Sequence, residues 1–93
     1  MTTELITPAS VPSLWRLARL DYDAVRACPI LLYPEGAVFL NDTGRAILEL
    51  CDGRRSVAEI AAALAARYAA ADVAADVAVY LADLAARELI DVR

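Results

Sequence analysis

Asp21 and Asp23 stand two residues apart, the spacing that puts both carboxylates on one face of a strand. A pair of that kind could work as general acid and base. The chain has no His, and neither a metal motif nor a glycine loop encloses the pair, so a solvated charged edge is the favoured reading. Cys28 and Cys51 are the two thiols. Without His they can assemble neither a zinc site nor a Cys/His nucleophile couple, and Cys51 falls on the inner face of a predicted helix, where a buried inert thiol is the default. Arg54-Arg55 could grip a phosphate or a carboxylate, although a solvated loop pair is the commoner outcome. Asp72, Asp76 and Asp83 lie on the last predicted helix. The first two sit near its N-terminus, where the helix dipole favours an acid by roughly 0.3–1 kcal/mol each. No nucleophile–base couple, phosphate loop or metal set emerges, so the chain is expected to be no enzyme and to need no cofactor.

The elements that would carry these groups are clearest between Leu31 and Gly53. Ile30–Tyr33 and Ala37–Leu40 read as two apolar strands joined by Pro34-Glu35-Gly36, with Gly36 expected at positive φ in a three-residue loop with a bulge. Asn41-Asp42-Thr43 offers N-caps for a helix from about Thr43 to Cys51, and Gly53 offers its left-handed end. Ile47, Leu50 and Cys51 form its inner face. Ser56-Val57-Ala58-Glu59 fits a capping box, followed by Val57, Ile60, Ala61, Leu64 and Tyr68 at helical spacing. The last helix begins near Asp72 and presents Val73, Val77, Tyr80, Leu81 and Leu84. Leu89-Ile90 is expected to fold back as a closure, and Ala69–Ala71 reads as a frayed linker. Leu17–Tyr22 supplies a third strand, although Leu14, Leu17 and Leu20 also recur at a helical spacing. Trp15 reads as a core or edge plug. Residues 1–13, with Pro8 and Pro12 and no sustained period, predict a disordered leader before a domain at 14–93.

The fold class is therefore α+β: a three-stranded antiparallel sheet followed by three helices, winged-helix-like with the wing first. A net charge of −4 argues against nucleic acid, whose binding draws on Lys and Arg. No apolar stretch approaches the roughly 18 residues of a membrane span, and the N-terminus has neither the basic start nor the apolar core of a secretory signal. A cytoplasmic protein with reduced thiols is expected.

What remains is binding. Ala37–Leu40 carries no charge and no proline, and an outer strand of that kind is free to add a peptide strand. The last helix could pack beside it and form a groove floored by Val77, Tyr80, Leu81 or Leu84. The same residues fit a domain core equally well, and periodicity does not separate the two. A winged-helix DNA-binding regulator and a structural dimerisation module, a homodimer through the same strand, are the rival readings.

The joint spacing of several motifs resembles the PqqD family, small accessory proteins of pyrroloquinoline quinone (PQQ) biosynthesis and, more broadly, recognition elements of modified-peptide pathways. The motifs are Arg19-Leu20, Asp23-x-Val25-Arg26, Leu31-Leu32-Tyr33-Pro34-Glu35-Gly36, Leu40-Asn41, Ile47-Leu48-x-Leu50-Cys51-Asp52-Gly53, Val57-x-Glu59-Ile60 and Asp76-Val77 with Leu81, Leu84 and Leu89. Two departures stand out. Ala27-Cys28-Pro29 replaces the usual glycine and aromatic, and Glu88 replaces a glycine before the last apolar pair. The resemblance implies a non-catalytic peptide chaperone that binds the precursor PqqA and presents it to the radical SAM enzyme PqqE. It also implies a peptide lying between the last strand of the sheet and the last helix. Carried onto this chain, the peptide-binding residues are Val38, Phe39, Leu40, Val77, Tyr80, Leu81 and Leu84.

Overall fold

The computed structural model describes residues 6–68 and 73–93. The elements run β1 (Pro12–Leu14), β2 (Arg19–Asp23), β3 (Cys28–Tyr33), β4 (Gly36–Phe39), α1 (Asp42–Glu49), α2 (Val57–Tyr68), α3 (Ala74–Ala86) and β5 (Ile90–Val92). Strands β2-β3-β4 form the expected three-stranded antiparallel sheet, and three helices follow it. In addition, β1 and β5 pair antiparallel as a second small sheet, with Pro12 opposite Val92 and Leu14 opposite Ile90.

That second sheet corrects the expected disordered leader over residues 6–13, which are part of the fold, since the 13/14 boundary falls inside β1. The same reading of residues 1–5 lies outside the described residues. Ser10 is buried, and its carbonyl accepts the amide of Val57 at 2.8 Å while that of Pro8 accepts Ala58 at 3.0 Å. The first turn of a helix has amides without intrahelical partners, and here another segment of backbone supplies them. Pro12 is fully buried, and the Val11 and Arg93 main chains exchange two bonds, at 2.9 and 3.0 Å. The Leu89-Ile90 closure thus takes the form of a strand.

The β3–β4 hairpin also differs from expectation. Tyr33 pairs with Gly36, so the connection is the two residues Pro34-Glu35, and neither Glu35 nor Gly36 has positive φ. Pro34 fixes its own φ near −65°, which excludes the turns that start with a left-handed residue. A β-carbon at Gly36 would stand 3.4 Å from the Tyr33 hydroxyl, an ordinary contact distance that puts Tyr33 beside the start of β4.

In α1, Asn41 is the N-cap, its Oδ1 accepting the Gly44 amide at 2.7 Å. The helix closes at Leu50, earlier than Cys51, and Gly53, at φ 77°, belongs to the next turn, where its amide reaches the Pro12 carbonyl at 3.0 Å. The capping box of α2 is present in full: the Ser56 amide donates to Glu59 at 2.8 Å, and the Glu59 amide to Ser56 Oγ at 3.2 Å. Tyr68 departs from its expected face and is 42% exposed. Helix α3 starts at Ala74; the readings placed on Asp72 and on Ala69–Ala71 lie outside the described residues.

Helix α3 ends in a two-bond cap. The Leu89 amide reaches the Leu84 carbonyl and the Glu88 amide the Ala85 carbonyl, both at 3.0 Å, with Glu88 at φ 60°. This is the Schellman arrangement, whose left-handed position favours glycine. Ala27, in the β2–β3 turn, sits at φ 53°. Both departures from the family pattern are therefore side chains held where glycine is at ease. Leu31, Leu48, Ile60, Leu64, Val77, Leu81 and Leu84 make the centre of the core, each worth roughly 1.5–3 kcal/mol of burial. No helix of the described residues is long and apolar enough to cross a membrane.

Candidate functional site

The three-stranded sheet has two edges, and they differ in kind. On β2 the edge carries Arg19, Asp21 and Asp23, charges that discourage further pairing. On β4 it carries Gly-Ala-Val-Phe. The Leu40 amide donates to the Pro29 carbonyl at 2.9 Å, and this sets the phase of the ladder. In an antiparallel pair bonded and non-bonded positions alternate, so Val38 and Gly36 turn their main-chain groups toward β3. Ala37 and Phe39 turn theirs outward. No other strand of the described residues pairs with that side.

Side chains of β4 alternate in the opposite sense. Val38 is half-buried against the core. Phe39 points to the other face, 54% exposed, with the Arg26 guanidinium 4.8 Å from its ring centroid. Leu40 is buried, as are Val77, Leu81 and Leu84. Of the seven expected site residues, these four belong to the core that supports the edge and leave little surface for a ligand. Val38 and Tyr80 are the half-buried pair beside it, and Phe39 offers the edge its main chain.

Tyr80 lies at the Leu40 end of β4. Its hydroxyl packs over Gly44 in the first turn of α1, and burial, with the Asp83 carboxylate adding to it, pushes the phenol pKa up. At the opposite end, Tyr33 and Glu35 of the hairpin face Arg87, Glu88 and Asp91 across a depression of about 370 Å³ that also includes Trp15. Helix α3 therefore places Tyr80 over the start of α1, which follows β4, and Arg87 at the hairpin hollow. The sequence did not single out Tyr33 or place Trp15 at this hollow.

Groups singled out for chemistry are engaged structurally. Asp21 pairs with Arg19 at 3.6 Å. Asp23 Oδ1 accepts the amides of Val25 and Arg26 at 2.9 and 3.1 Å, and Arg26 closes the turn at 3.3 Å. Asp52 repeats the device: its Oδ1 accepts Arg54 and Arg55 amides at 2.9 and 3.1 Å, and Arg55 pairs with it at 2.7 Å. The backbone amide of Arg26 for Asp23, and that of Arg54 for Asp52, lead the causes that hold each carboxyl below its ordinary pKa. Both cysteines are free. Burial pushes the Cys51 thiol up to about 12, and its Sγ donates to the Ile47 carbonyl at 3.3 Å. Among the described residues no group of three or more His, Cys, Asp or Glu is placed to hold a metal.

An uncharged edge strand left unpaired among the described residues is a geometry that strand-adding binding modules use. The solution structure of the PqqD truncation of Methylobacterium extorquens PqqCD, described as a stand-alone RiPP recognition element, superposes with a TM-score of 0.80 at 38% identity, over 92% of this chain and 94% of that one. Residues 28–90 match the profile of coenzyme PQQ synthesis protein D, and the chain belongs to this PqqD family. A PqqA binding protein of Pseudomonas aeruginosa is 54% identical over 55 residues, 59% of this chain and 60% of that protein. One from Methylococcus capsulatus is 37% identical over 59 residues, 63% of each. The chain thus spans about three-fifths of the length of these curated relatives.

Proposed function

We propose that this chain is a non-catalytic peptide-binding protein of PQQ biosynthesis that takes the precursor PqqA as a fourth strand on β4, against α3, and presents it to the radical SAM enzyme PqqE. The observation that carries this is the open β4 edge, with the main-chain groups of Ala37 and Phe39 directed outward. The relatives named PqqA binding protein and the structural neighbour described as a recognition element support the choice of ligand. A peptide strand gains main-chain bonds from those two residues and side-chain contact from Val38 and Tyr80. The two unpaired thiols fit work in the reducing cytoplasm.

A second copy of the chain is the competing occupant of the same edge, because an uncharged strand also pairs with itself. Titrating the ¹⁵N-labelled protein with PqqA peptide separates the two. Saturable shifts at the amides of 37 and 39 and along α3, independent of protein concentration, are expected. Shifts that grow with protein concentration alone would replace peptide carriage with dimerisation.

A further inference from the structure

Beyond the Gly36 end of β4, the hairpin and the α3 cap enclose a depression of about 370 Å³. Two of its walls are aromatic, Trp15 and Tyr33, both half-buried against the core. Its rim carries the carboxylates of Glu35, Glu88 and Asp91. None of these three takes part in an ion pair or a side-chain hydrogen bond acceptance among the described residues, whereas Asp21, Asp23, Glu49, Asp52 and Asp83 each have an arginine. The one cation at the rim, Arg87, is shared with Asp83 at 3.7 Å. Three acids from three separate elements, the hairpin turn, the α3 cap and β5, thus converge on one hollow with a single, already engaged guanidinium.

We propose that this hollow receives a lysine or arginine side chain of the bound peptide, one lying just beyond the strand-paired stretch. Aromatic faces accept the alkyl stem and the cation, and the free carboxylates accept its N–H donors. Continuity with the peptide edge comes through Tyr33, which lies across Gly36 at the start of β4 and also walls the hollow. A strand on Ala37 and Phe39 that continues past Gly36 passes directly over this ring. Glu88 has a further reason to be here. Its backbone takes a left-handed position that costs least for glycine, so the chain holds a carboxylate at this rim in spite of the conformational cost.

The inference rests on the peptide-binding reading, and its test keeps the two apart. Affinity of the full chain for PqqA peptide is measured at about 50 mM and about 300 mM salt, for the wild type and for Glu35→Gln/Glu88→Gln/Asp91→Asn, with amide shifts at 37 and 39 followed in parallel. About tenfold weaker binding by the variant at low salt, a smaller gap at high salt, and retained edge shifts are expected. A copy of the peptide with every Lys and Arg changed to Gln should lose the same factor on the wild type and none on the variant. The wild-type half of this arm requires no altered protein, should the triple variant fold poorly. Edge shifts intact with equal affinities for both peptides would overturn the cation pocket alone. Loss of edge shifts from the wild type would overturn peptide carriage and the pocket with it.

Discussion

The phenolic oxygen of Tyr80 stands 2.6 Å from the point that a β-carbon on Gly44 would occupy. Helix α3 can bring its tyrosine beside the end of β4 because α1 has no side chain there. Gly44→Ala gains up to about 1 kcal/mol of helix propensity. It must also move Tyr80, and overpacking costs roughly 1–3 kcal/mol. A net loss of about 1 kcal/mol is expected, a drop in melting temperature of roughly 4–8 °C for a domain of this size. Gly44→Ala/Tyr80→Phe should recover part of it, since the hydroxyl is the nearest atom. A double variant that melts no higher than the single would show that the two residues do not meet.

The phase of the β3–β4 ladder makes neighbouring residues of β4 respond in opposite ways to proline. The Ala37 amide faces outward, so Ala37→Pro leaves the ladder to β3 whole and removes a donor that an added strand requires. Peptide affinity should fall by more than tenfold with the circular dichroism spectrum unchanged. At Val38 the amide bonds to β3, and Val38→Pro should destabilise the domain itself, by about 3 kcal/mol or more. Equal effects from the two prolines would mean that the free edge has been placed on the wrong residues.

Glu88 and Ala27 hold left-handed backbone at φ 60° and 53°. A side chain there costs roughly 1–2 kcal/mol, and glycine returns part of that through the freer unfolded chain. Glu88→Gly and Ala27→Gly should each raise stability by about 0.5–1 kcal/mol in chemical denaturation. The sites lie at opposite ends of the fold, so their effects should add. Neither gaining stability would count against strain at these turns.

Asp23 and Asp52 have folded pKa values lowered from 3.8 by the amides that they accept. A lowered folded pKa adds stability that is fully present above 3.8 and is lost as pH falls through the folded value. The urea midpoint of the wild type should therefore decline from pH 5 toward pH 2. Asp52→Asn keeps an acceptor for the turn but cannot titrate, so its midpoint should decline less over the same range. Parallel curves would assign the acid sensitivity to other carboxylates.

Much of the architecture is local and was legible as such. Ser56 and Glu59 announce a helix start through two residues, and Ile30–Leu40 announces a hairpin through one apolar run on either side of Pro34. The β1–β5 sheet has no local sign, because three-residue strands at residues 12 and 92 are defined only by each other. Residues around Pro8 and Pro12 look like a leader until Val57 and Arg93 are known to bond to them. The proposed groove was half legible. An uncharged edge can be read from composition. Whether Val77, Leu81 and Leu84 line a groove or fill a core depends on which side of the helix another layer covers, and 3.6-residue periodicity is the same in both cases. Hence Tyr80 and Val38, which are half-buried, were named together with four residues that are buried in the core.

The clasp of β1 on β5 joins the two most distant strands of the chain, and β5 continues directly from the cap of α3. Loop closure of that length forms late in folding and brings few local contacts in return. The clasp is thus set to be the first part to open in native-state hydrogen exchange, ahead of β3. When it opens, α3 loses its tether at the Arg87 end while Tyr80 keeps its seat on Gly44. The helix wall then has a hinge and a free end. A bound strand that bridges β4 and α3 would hold that end in place, so peptide binding should slow exchange at residues 12–14, which pair with β5 and lie outside the hollow.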